Sequence, residues 1–350
     1  MNKLINSFSC PIPAFDFEVI SLGHGSGGLL TNKLLDKSIF SLFDNDMLNS
    51  RHDGAVFDLA GPLAFSTDSF VVSPIFFPGG NIGDLAVNGT VNDLAMCGAV
   101  PKYLSLGLIL EEGLKIEELW TVLVSAKEAA NKAGVQIVTG DTKVVERNKG
   151  DKVFINTSGI GQVHPKARID IQRVSTGDKI VVSGSLANHG VSVLSVREGL
   201  EFETDIISDT QPINNIVYRM LNTFGQHIHL TRDPTRGGIA TVLNEIAQQS
   251  GQGIALNEKD IPIELQVQSA CELLGLDPLY VANEGVYISF VAAEIADSYV
   301  EALRQCPGAK KAACIGEVVT EHPGQVIINS RIGGRRVIAM LPGEQLPRIC

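Results

Sequence analysis

Residues 66–113 read STDSFVVSPIFFPGGNIGDLAVNGTVNDLAMCGAVPKYLSLGLILEEG. LAFSTDSFVVSP (63–74) and YLSLGLIL (103–110) are rich in β-branched and aromatic residues and read as strands, and GDLAVNGTVNDLAMCG (83–98) between them has helical apolar spacing. Working outward, AVFDLA (55–60), VQIVTGDTKVV (135–145) and VFINTSGIGQV (153–163) read as further strands. KIEELWTVLVSAKEAANKAG (115–134) reads as a helix closed by Gly134, and LLTNKLLDKSIFSLF (29–43) as another. Strands and helices alternate irregularly, which favours α+β over a doubly wound sheet. The pattern restarts at KIVVSG (179–184), with helical stretches such as PINNIVYRMLNTFGQ (212–226) and a late hairpin, QVIINSRIGGRRVIAML (325–341). The expected division is a lead-in, 1–20; a first domain, 21–168; a second α/β domain, 169–341; and a flexible tail, 342–350, ending on Cys350.

At 350 residues, with 44% hydrophobic and 19% charged residues, the chain can bury a core in each of two domains. A net charge of −11 argues against nucleic acid or an anionic membrane as partner. The absence of a long apolar run or signal core argues against a membrane span and for a cytoplasmic protein. Six cysteines without a C-x-x-C pair form neither a zinc site nor a disulfide framework, and Cys97, Cys271 and Cys314 read as core residues.

The chemistry-bearing signal is a set of aspartates beside apolar runs: Asp53, Asp68, Asp93 and Asp141. Carboxylates so placed suit Mg²⁺, a hard cation commonly shared with phosphate, although each taken singly also fits a turn or a helix cap. GHGSGG (23–28), with Gly25, Gly27 and Gly28, is either a phosphate wrap or a turn with an exposed His24; it is not a P-loop. In DPTRGG (233–238), Asp233 or Thr235 is placed to cap a helix facing an anion. Lys143 is a candidate for neutralising a phosphoryl group or a solvated strand lysine, and Glu284 in ANEG (282–285) is a candidate base or a loop carboxylate.

Together GHGSGG, the 66–113 stretch, TGDTKVV, NHGVSVLSVREGLEF, DPTRGG, ANEG and the terminal PRIC closely resemble the HypE hydrogenase maturation factors over nearly the whole chain. The middle motifs are shared with the wider ATP-using superfamily of aminoimidazole ribonucleotide synthetase. The resemblance implies a PurM-like fold that dimerises through a barrel-like pairing of its N-terminal sheets. It implies that Cys350 accepts a carbamoyl group from HypF, that ATP drives its dehydration to a thiocyanate, and that the cyano group passes to iron on HypC–HypD for [NiFe]-hydrogenase. On this reading Asp53, Asp68, Asp93 and Asp141 hold Mg²⁺-ATP, Asn92 and Asp233 contact the nucleotide, Lys143 steadies the phosphate and Glu284 is the base. Another superfamily member such as selenophosphate synthetase, with Cys10 in place of Cys350, is the nearest alternative. A non-catalytic adaptor recognised through its terminal peptide is the other.

Overall fold

The computed structural model describes residues 11–200, 206–340, 343 and 348–350. The first half is built on a four-stranded sheet. After helix α1 (Leu29–Leu35) come β1 (Leu63–Phe70), a small hairpin of β2 (Phe76–Phe77) and β3 (Gly80–Asn81), helix α2 (Ile82–Met96), β4 (Ala99–Glu111), helix α3 (Ile116–Ala133), β5 (Gln136–Val145) and β6 (Val153–Val163). The strand order is β1-β6-β4-β5, antiparallel except for the β4/β5 pair that α3 connects. The inward residues of β4, Leu104, Leu106, Leu108 and Leu110, are buried under the helices. Helix α2 is buried on nearly every side, its polar Asn88, Thr90 and Asn92 included, with only Asp84 and Asp93 half-exposed. α3 is amphipathic and ends as expected on Gly134, whose φ of 72° is the left-handed conformation that glycine favours.

The second half carries a seven-stranded sheet. Its elements are β7 (Lys179–Val182), α4 (Asn188–Arg197), α5 (Asn214–Phe224), β8 (Ile228–Arg232), α6 (Gly238–Ser250), β9 (Gly253–Asn257), α7 (Leu265–Leu274), β10 (Ile288–Val291), α8 (Ala296–Arg304), β11 (Ala313–Val319), β12 (Val326–Asn329) and β13 (Arg335–Ile338). The order is β13-β12-β9-β11-β7-β10-β8, with only β12/β9 parallel. The halves are stitched by polar side chains. Asn92 on α2 donates to the carbonyls of Gln211 and Glu284 and accepts the Ile213 N–H, and Asn214 and Thr231 reach the carbonyls of Ala133 and Met96.

Three local readings need correction. AVFDLA forms no strand: it lies in an irregular segment with Val56 92% exposed, so no buried face rewards pairing. Cys97 is exposed, because it is the cap residue beyond the last turn of α2. Neither Asp233 nor Thr235 caps α6. The helix starts at Gly238 behind Gly237, both at positive φ, and a Cβ on residue 238 would come within 2.5 Å of the Leu279 carbonyl oxygen.

Candidate functional site

β1, α2 and the turn after β8 converge on one cleft of about 860 Å³, lined in part by Ser66, Asp93, Arg232, Asp233, Thr235 and Arg236. Asp93 accepts a 2.6 Å hydrogen bond from Ser66 Oγ, and Asp68 accepts the Ser69 N–H. Burial raises the pKa of both carboxyls, and Asp68 pushes Asp93 further in the same direction. Asp233 is raised to about 7 by burial and by Asp93. Arg232 and Arg236 are the counter-charges: Arg232 opposes the shifts on Asp93 and Asp233, and Arg236 the shift on Asp68.

Glu284 is 4% exposed and stands behind this cluster. Burial, then Asp209, Asp233, Asp68 and Asp93 together push its pKa well above the carboxylate range. Asp209 sits beneath it: its Oδ2 accepts the N–H groups of Glu284 and Gly285 at 3.1 Å each, and its Oδ1 is buried without a partner among the described residues. Burial lifts Asp209 to about 6.

The end of the chain docks against the segment that follows β1. Ile349 is 3% exposed and belongs to the core of the first half. The Arg348 guanidinium donates to the Val71 carbonyl, pairs with Asp151 and lies over the Phe154 ring. The Ser73 N–H and the Arg197 guanidinium donate to the Arg348 carbonyl, and the Val71 N–H to that of Cys350. The Cys350 thiol is raised above its usual range by burial and by the charges of Glu284 and Asp68, against Arg236, which puts it within electrostatic range of the three. Residues 342 and 344–347, assigned to a flexible tail by sequence, lie outside the described residues.

The candidate residues therefore divide. Asp68, Asp93, Asp233, Glu284 and Cys350 come together. Asp141 and Lys143 pair at 2.9 Å on β5, the far edge of the sheet, roughly 14 Å from β1 at the usual strand spacing. They line a separate small pocket with Gly25, Gly27 and Thr31. Gly28 is the N-cap of α1, and Gly25 touches β5 so closely that a Cβ would stand 2.6 Å from the Val144 nitrogen. His24 is buried rather than exposed, with its ring centroid 4.2 Å from that of Phe17 in a tilted contact. Asp53 lies in an exposed bend. Asn92 spends its amide on the domain seam described above, which places it as the support of Glu284. Among the described residues no three His, Cys, Asp or Glu side chains form a metal site. Asp209, His189, Arg197 and Ser66 were missed; Asp209 had no motif around its chemistry, while His189 and Arg197 lay unused within NHGVSVLSVREGLEF and Ser66 at the head of the 66–113 stretch.

Comparison with known proteins agrees with this architecture. Residues 51–163 match the family described as AIR synthase related protein, N-terminal domain, and 175–329 match its C-terminal domain. A curated relative from Rhizobium leguminosarum bv. viciae, "Carbamoyl dehydratase HypE", is 47% identical over 351 residues, covering 100% of both chains. A crystal structure of "Hydrogenase Maturation Protein HypE in complex with ATP" is 48% identical, with a TM-score of 0.91 over 94% of this chain and 99% of that one. A HypE–HypF complex is 42% identical, with a TM-score of 0.78 over 90% of this chain and 100% of its match.

Proposed function

This chain belongs to the HypE carbamoyl dehydratases, and from that premise we propose that the group it dehydrates is carried on the sulfur of its own Cys350. The observation that carries this reading is the docked tail, with Ile349 in the core and the thiol within electrostatic range of Glu284, Asp68 and Arg236. An amide-like oxygen is a poor leaving group; ATP supplies the remedy by converting it into phosphate. The S-carbamoyl nitrogen must lose two protons as the C–O bond breaks and C≡N forms. Glu284, whose environment gives it a raised proton affinity, is the proposed acceptor of one of them once ionised, and the departing phosphate carries off the other. Arg236 and Arg232 line the cleft where they can meet phosphate oxygens, and the charge of Arg236 also reaches the sulfur.

Asp68, Asp93 and Asp233 fit a hard cation: they offer only oxygen donors, and their mutual repulsion is left partly uncompensated. Mg²⁺ needs only one or two protein carboxylates when phosphate completes its shell, so these residues would hold it, and it would supply charge neutralisation there. The N-terminal sheet presents a bare outer face with Phe65 69% and Ile109 43% exposed, which supports homodimerisation through that face. A two-fold pairing that sets β5 of one copy against β1 of the other would bring one Asp141–Lys143 pair toward the other copy's Asp68 cluster. That would reunite the residues the single chain keeps apart. Delivery of the carbamoyl group by HypF and transfer of the cyano group to HypC–HypD complete the proposed cycle in the cytoplasm.

The test is intact-protein mass spectrometry after incubation with HypF, carbamoyl phosphate and ATP, with Cys350→Ala alongside. A carbamoyl adduct that then loses the mass of one water, absent from the alanine variant, is the expected result. An adduct of equal yield on the alanine variant would remove Cys350 as the carrier.

A further inference from the structure

His189 on α4 is wholly buried and stands edge-on to Phe77, with ring centroids 5.3 Å apart. Its Nδ1 lies 2.8 Å from Ser208 Oγ and its Nε2 2.8 Å from the Ile349 carbonyl oxygen. The donor inventory settles the tautomer. Ser208 Oγ accepts the Thr210 N–H, leaving its own proton for Nδ1, while a carbonyl can only accept. The ring proton is therefore on Nε2 and is donated to Ile349. Burial lowers the imidazole pKa to about 4, so the ring stays neutral, as this wiring requires.

Every other described hydrogen bond to the tail ends on main chain or on the Arg348 guanidinium, and among the described residues none ends on the sulfur. We propose that His189 is the positioning residue of a seat for an Arg-Ile-X segment, and that this seat is indifferent to what the X side chain carries. Thiol, S-carbamoyl and thiocyanate forms would then seat alike. The neighbouring Asp209 holds the Glu284 and Gly285 amides. Adjacent residues, Ser208 and Asp209, thus fix the tail and the Glu284 loop in one frame, and the sulfur is aimed without being gripped. The biological use of the seat rests on the carrier reading above; its existence does not.

The experiment is timed iodoacetamide labelling of the full-length chain, with exposed Cys97 as internal reference, and needs neither ATP nor carbamoylation. Loss of one buried hydrogen bond should speed Cys350 labelling on the order of tenfold in His189→Ala. His189→Gln, which keeps a donor near the Nε2 place, should recover most of the slow rate, and Ser208→Ala should fall between. Equal labelling in wild type and His189→Ala, or equal labelling in the Ala and Gln variants, overturns the assignment. If His189→Ala does not fold, Ser208→Ala labelling no faster than wild type does the same. Indifference to the sulfur is read by hydrogen exchange at the Val71 and Ser73 amides: Cys350→Ala should leave their protection intact, and loss of protection there refutes it.

Discussion

Asp84 occupies the first turn of α2, where its Oδ1 accepts the Asn81 N–H at 2.6 Å. Burial raises its pKa from 3.8 to about 7 against the opposing pull of that amide and of Lys132. Below pH 4 both folded and unfolded chains hold the proton and nothing is lost. Between pH 4 and 7 the folded state binds more protons, so stability falls as pH rises, and above 7 the full penalty applies. Asp84→Asn keeps the acceptor and removes the charge. We expect it to melt about 2–4 °C above wild type at pH 8, with the gap closing at pH 4, in calorimetry at both pH values. At Glu284 the expectation concerns rate. Glu284→Gln should slow conversion of S-carbamoyl-Cys350 by about 10² to 10⁴ while loading by HypF continues, followed by single-turnover mass spectrometry. An unchanged rate would assign the proton acceptor elsewhere. Glu284 stood out in the sequence because an acid preceded a glycine and an apolar strand. Asp209, which supports it, was invisible, because its role depends on main-chain amides more than seventy residues away.

Among the elements, α2 sets the geometry of the rest. It is packed so closely on α3 that a Cβ at Gly83 would stand 2.0 Å from the Val122 carbonyl oxygen, and one at Gly89 would stand 2.7 Å from the Phe70 ring. Gly83→Ala should therefore cost about 1–3 kcal/mol, the usual range for overpacking, through displacement of a helix backbone. Gly134→Ala, with nothing within 4 Å but a φ of 72°, should cost about 1 kcal/mol through its backbone alone. Denaturant midpoints separate the two, and a smaller loss at Gly83 than at Gly134 would contradict the packing account. The apolar pattern that announced α2, α3, β4 and β6 was strong because each buries a continuous face, while β5 is buried only at Ile137 and Val138. The 55–60 segment misled because alternation without a partner strand resembles a strand in sequence. α6 began later than its acidic residue implied because two left-handed glycines turn the chain first.

For the whole molecule, the residues of the site could be named from sequence but not sorted: nothing in the spacing of Asp68 and Asp141 told that the sheet would place them on opposite edges. If two copies join them, Phe65→Glu combined with Ile109→Glu should shift the protein from dimer to monomer in sedimentation velocity and weaken ATP binding. A dimer unaffected by both changes would place the interface elsewhere. The seam between the halves bears on how such a protein hands over its cargo. Asn92 alone bonds three main-chain groups across it, and Asn214 and Thr231 add two more. Parting the halves would strip these buried groups together, so the cleft has no economical way to gape for a visitor. If Cys350 is the carrier, exchange with a partner has to come from undocking of Arg348–Cys350 and not from parting of the halves, so the seam and the tail divide the work of holding and releasing.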